Sequence, residues 1–118
     1  MAINNALASL AVKDLKSASQ WYERLFGRAA DSTPMSEVAE WKFAGGGWLQ
    51  VYQLPERAGN GSVTLAVSDL DEQIHDLKQC GIDPPPAMRG DKVKVVMIKD
   101  PDGNSIAFAQ AIDPGMAH

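Results

Sequence analysis

The sequence predicts an α+β fold made of two βαβββ halves. Three observations carry that prediction: a hexapeptide that recurs, helical spacing after each copy, and three strand-like segments after each helix. Leu10-Ala11-Val12-Lys13-Asp14-Leu15 returns as Leu65-Ala66-Val67-Ser68-Asp69-Leu70, with five of six residues identical at an offset of 55. The chain has 118 residues, so two such offsets nearly fill it.

After the first copy, Ala18, Trp21, Tyr22 and Leu25 fall on one helical face, and after the second Leu70, Ile74 and Leu77 do the same. Trp21 and Tyr22 are read as helix packing. Gly27 and Gly81 mark the two helix ends, because glycine adopts the left-handed conformation that closes a helix. Asp14 and Asp69 stand where a strand hands over to a helix. A short carboxylate there accepts hydrogen bonds from the free N–H groups of the first turn, and Asp69 with Glu72 fits a capping box.

Strand candidates follow at 29–33, 38–44 and 48–54, then at 84–88, 92–99 and 105–110. Gly45-Gly46-Gly47 and Asp100-Pro101-Asp102-Gly103-Asn104 supply the turns before the last strand of each half. The polar, glycine-containing stretch 56–61 joins the halves, giving module one as 1–58 and module two as 59–118. A lone unit of that size hardly buries both faces of its sheet, so the two modules are expected to form a single domain.

Composition excludes several function classes. Hydrophobic residues are 45% and charged residues 22%, as in globular proteins. A net charge of −4 supplies no cationic face for phosphate neutralisation, so nucleic acid is not an expected partner. No apolar run approaches the roughly 20 residues that cross a bilayer. The start Met1-Ala2-Ile3-Asn4-Asn5 lacks the basic and apolar regions of a signal peptide, so the expected location is cytoplasmic, with no membrane partner. One cysteine, Cys80, rules out an internal disulfide, and there are two histidines, His75 and His118. His75 lies on a polar helix face, and neither it nor Cys80 has the neighbours of a base or nucleophile.

The paired Leu-Ala-Val-x-Asp-Leu motifs, Trp21-Tyr22-x-x-Leu25-Phe26-Gly27 and Asp100-Pro101-Asp102-Gly103-Asn104 occur here in a fixed order. In that order the chain resembles the vicinal oxygen chelate superfamily of glyoxalases, bleomycin resistance proteins and extradiol dioxygenases. The resemblance implies a curved mixed sheet with helices on its convex side, a ligand on the concave face, and a homodimer. Many members bind one divalent metal through His, Gln or Glu on the first and last strands of each module. Those positions fall here on Leu7, Gln50, Ser62 and Ala107. Only Gln50 is a usable donor, whereas a stable divalent site needs about three or four converging N, O or S ligands. No metal and no other cofactor is therefore expected, with a rearranged set from Glu37, Glu40, Gln53 or Asp100 as the alternative.

Side chains alternate across a strand, so the parity of these four positions marks the ligand face. Ser9, Ala11, Ser62, Thr64, Ala66, Ser105, Ala107 and Ala109 share it, mostly small, while Trp48, Gln50 and Tyr52 place two rings around one amide. Trp41 and Phe43 share a parity on the neighbouring strand and are expected to extend that wall. The candidate ligand-binding residues are Trp41, Phe43, Trp48, Gln50, Tyr52, Ser62, Thr64 and Arg89, with no catalytic residue. Arg89 is read as a loop residue able to meet an anionic group, or else a solvated charge. The aromatic residues have a second reading, as core or dimer interface. Met35 and Met88 are read as lids or gap fillers.

The expected function is that of a metal-free small-molecule-binding protein, similar to the bleomycin resistance proteins, sequestering an aromatic or drug-like ligand as in antibiotic resistance. The alternatives are a metal-dependent lyase, isomerase or dioxygenase with an atypical site, and an interaction module without a small ligand.

Overall fold

A computed structural model describes residues 2–112; His118 lies outside them. The first half contains β1 (Leu7–Val12), α1 (Leu15–Phe26), β2 (Ser32–Met35), β3 (Val38–Lys42) and β4 (Trp48–Gln53), followed by a 3-10 turn at Pro55–Arg57. The second contains β5 (Ser62–Ala66), α2 (Leu70–Gln79), β6 (Met88–Arg89), β7 (Val93–Lys99) and β8 (Ser105–Ala111). Each half is therefore βαβββ, as the repeat predicts, and each forms its own four-stranded mixed sheet. The strand orders are β1-β4-β3-β2 and β5-β8-β7-β6, with β1–β4 and β5–β8 parallel and the remaining pairs antiparallel.

Local chemistry sets the helix ends. Asp14 Oδ2 accepts from the Ser17 backbone N–H at 3.1 Å and Asp69 Oδ1 from that of Glu72 at 3.2 Å, so both aspartates cap as expected. A second device also repeats. Gln53 Oε1 accepts from Leu15 N at 2.9 Å and Gln110 Oε1 from Leu70 N at 2.8 Å, so the last strand of each half satisfies a free amide at the start of its helix. Gly27, at φ 72°, closes α1 in the left-handed conformation that a side chain would strain.

Two strand predictions shift. The segment at 84–88 contracts to Met88–Arg89, because Pro84, Pro85 and Pro86 have no N–H to give to a ladder. The segment at 29–33 starts later, at Ser32: Arg28 pairs with Asp31, and Asp31 Oδ2 also accepts the Lys42 backbone N–H at 2.7 Å, which holds 28–31 as a connection.

Each sheet packs one face under its own helix. In the first, Leu10, Val12, Trp41, Leu49 and Val51 are buried with Leu15, Ala18, Tyr22 and Leu25 of α1. In the second, Val96, Ile98, Ile106 and Phe108 are buried with Leu70 and Leu77 of α2. Each large side chain so buried is worth about 1.5–3 kcal/mol.

The chain forms two compact units whose boundary differs from the repeat. Among the described residues, one spans 2–61 and includes Asp100–Asn104; the other holds Ser62–Lys99 and 105–112. The turn between β7 and β8 thus belongs to the first unit. There Asp100 Oδ2 accepts from Tyr22 Oη at 2.8 Å, Asn104 Nδ2 donates to the Ala11 carbonyl at 2.8 Å, and Asn104 Oδ1 accepts from Gly61 N at 2.9 Å.

Candidate functional site

The face of the first sheet turned away from α1 is fixed by register. Leu7 pairs with Trp48, Ser9 with Gln50 and Ala11 with Tyr52, while Lys42 pairs with Trp48 and Glu40 with Gln50. Directly paired residues share a face. This open face therefore carries Leu7 and Ser9 from β1, Trp48, Gln50 and Tyr52 from β4, and Glu40 and Lys42 from β3.

A hydrogen-bond chain crosses it. Ser9 Oγ donates to Gln50 Oε1 at 3.1 Å, and Gln50 Nε2 donates to Glu40 Oε2 at 2.9 Å. Both ends of the amide are engaged, which fixes its orientation. The Lys42 ammonium stands 5.8 Å from the centre of the Trp48 ring. Trp48, Gln50, Tyr52 and Glu40 are half-buried, and Leu7 is 49% exposed.

Trp41 and Phe43 do not belong to this wall. Trp41 pairs with Leu49, on the helix side, and is fully buried. Its ring centre lies 6.0 Å from that of Tyr22 and 5.6 Å from that of Phe26, and its Nε1 donates to the Arg28 carbonyl at 3.1 Å. Phe43 follows β3 and meets Phe26 edge-on at 5.5 Å. One residue of register decides which set faces out, and the apolar Leu49 and Val51 draw Ala39 and Trp41 to the core side. Glu40 and Lys42 join the wall beyond the residues expected from the sequence. Their polar alternation with Ala39 and Trp41 is the signal that locates them.

In the second unit, Ser62 and Thr64 lie exposed on β5, paired with Ser105 and Ala107. Met97 pairs with Ala107 and is 49% exposed, and Met88, 67% exposed, pairs with Val95. Arg89 is exposed in the edge strand β6, paired with Lys94, and not in a loop.

The four positions that the superfamily pattern reserves for a metal do not make a donor set. Leu7 and Ala107 have no donor atom, Ser62 offers one hydroxyl, and the Gln50 amide is already bonded at both ends. The alternative residues are dispersed: Gln53 caps α1, Asp100 is buried against Tyr22 and Asn104, Glu40 joins Gln50, and Glu37 is exposed in a turn. Among the described residues no three His, Cys, Asp or Glu side chains gather where they could hold a metal ion.

Burial and hydrogen bonding shift three titratable groups of the first unit. Burial first and the Asp100 carboxylate second push the Tyr22 hydroxyl far above the usual tyrosine range. Hydrogen bonds from Ser17 hold Asp14 below the usual aspartate value, and those from Arg28 and Lys42 do the same for Asp31.

A family model described as the Glyoxalase/Bleomycin resistance protein/Dioxygenase superfamily matches residues 3–108. A glyoxalase/bleomycin resistance protein from Catenulispora acidiphila DSM 44928 is similar in structure, with TM-score 0.83 and 32% identity over 92% of this chain and 98% of that one. TnmS3, an antibiotic-binding protein from Streptomyces sp. CB03234, matches at TM-score 0.78 and 24% identity over 94% and 98%. A bleomycin resistance determinant encoded on the transposon Tn5 matches at TM-score 0.78 and 20% identity over 94% and 100%, and these last two likenesses speak for the fold. No curated protein matches the chain. Among the described residues no helix is long and apolar enough to cross a membrane.

Proposed function

The chain belongs to the glyoxalase/bleomycin resistance protein/dioxygenase superfamily, and from that premise we propose that it binds a planar aromatic or drug-like molecule without a resident metal. The observation that carries the proposal is the replacement of metal donors by Leu7, Ser62 and Ala107 on sheet faces that retain Trp48, Gln50 and Tyr52 half-exposed. Flat rings beside a fixed amide suit a ligand with an aromatic body and a few polar groups. Ser62, Thr64 and Arg89, on the second sheet, are likewise proposed as ligand-contact residues. The antibiotic-binding description of TnmS3 agrees with sequestration as the role. A homodimer is part of the same proposal and rests on the family resemblance, and a reducing, cytoplasmic setting is proposed from the single cysteine, Cys80.

The test is metal analysis of the purified protein followed by a thermal-shift screen after dialysis against chelator. A ligand that prefers the folded state raises the melting midpoint. Midpoint shifts by planar aromatic drugs in the stripped protein support the proposal. A divalent ion at about one per chain, with shifts only after its return, overturns it in favour of a metal-dependent enzyme.

A further inference from the structure

We infer that the open face of the first sheet selects a cationic planar aromatic ligand, with Glu40 as the charge that meets it; this inference rests on the binding function proposed above. The hydrogen-bond chain runs in one direction. Ser9 donates to Gln50 and Gln50 donates to Glu40, so each donated hydrogen points toward the carboxylate. The Glu40 carboxylate keeps its second oxygen, Oε1, outside that chain. A carboxylate accepts and never donates, so the group left to a ligand calls for an N–H or O–H donor, most strongly a charged one.

The aromatic flank suits the same ligand. Trp48 and Tyr52 stand on either side of Gln50 along β4, both half-buried, and Glu40 pairs directly with Gln50. A planar cation resting against these rings places its positive edge within reach of the carboxylate, combining ring stacking, cation–π attraction and charge.

The Lys42 ammonium already stands over the Trp48 ring, so this ring is held in a geometry that accepts a cation. A cationic ligand replaces that ammonium on the ring and feels its repulsion once displaced. Removing the Lys42 charge therefore strengthens cation binding, opposite in sign to removing the Glu40 charge.

Calorimetric titration of the full chain with three probes of one ring system tests this: cationic proflavine, neutral acridine and anionic acridine-9-carboxylate. Proflavine is expected to bind about tenfold tighter than acridine and acridine-9-carboxylate weaker than both. Glu40→Gln, which keeps an acceptor of the same size, lowers proflavine affinity about tenfold and leaves acridine unchanged. Lys42→Gln raises proflavine affinity about threefold. Glu37→Gln, the same charge change in a neighbouring exposed turn, leaves it unchanged.

Equal binding of the three probes, a preference for the anion, or equal losses in Glu37→Gln and Glu40→Gln overturn the assignment to Glu40 while leaving aromatic binding intact. Failure of all three probes to bind overturns both readings.

Discussion

Tyr22 of α1 donates its phenolic hydrogen to Asp100, 78 residues away in sequence, at 2.8 Å, with both side chains buried. Asp100 also accepts from Asp102 N, Asn104 N and Asn104 Nδ2, so the carboxylate gathers the turn and the helix around one buried charge. Tyr22→Phe removes one donor and leaves the others. It is expected to cost about 1.5–3 kcal/mol, the range for a hydrogen bond to a charged group, read as a lower denaturant midpoint at unchanged slope.

Alkaline pH acts on the same hydroxyl. Folding raises the Tyr22 pKa, through burial and then the Asp100 charge, so its contribution to stability is complete below the pKa of an unfolded tyrosine, about 10, and is lost as pH rises beyond it. Melting midpoints of the wild type are expected to fall more steeply above that pH than those of Tyr22→Phe. Parallel curves contradict the buried pair.

Gly59 has φ +85°, and a Cβ there would lie 2.3 Å from the Asp102 carbonyl oxygen. Both the conformation and the contact oppose a side chain. Gly59→Ala is expected to destabilise by more than about 1 kcal/mol, whereas Gly45→Ala, with open space around it and an ordinary φ, stays within about 0.5 kcal/mol.

Trp41 and Trp48 separate core from site. Trp41→Ala empties a fully buried position and is expected to cost about 3–5 kcal/mol, seen by chemical denaturation. Trp48→Ala, at a half-buried position on the open face, is expected to cost about 1 kcal/mol or less.

The repeat, both capping aspartates and the βαβββ order could be read from the sequence because each is a short-range signal: Asp14 to Ser17, Asp69 to Glu72, proline and glycine punctuation. The face occupied by Trp41 is signalled only by the alternation of Glu40 and Lys42 with Ala39 and Trp41, because it is set by pairing with Leu49 across a turn, where one residue of slip reverses every side chain. The same dependence on register hides Glu40 as a member of the open face. Membership of the Asp100–Asn104 turn in the first unit rests on contacts such as Asn104 to Ala11, 93 residues apart, which no local pattern encodes.

The most direct measurement for a metal-free aromatic site is calorimetric titration of chelator-treated wild-type and Trp48→Ala protein with proflavine. The stripped wild type is expected to bind about one ligand per chain, with an affinity at least about tenfold weaker in Trp48→Ala. Binding that appears only when a divalent metal is restored, or that is indifferent to Trp48, contradicts a metal-free aromatic site.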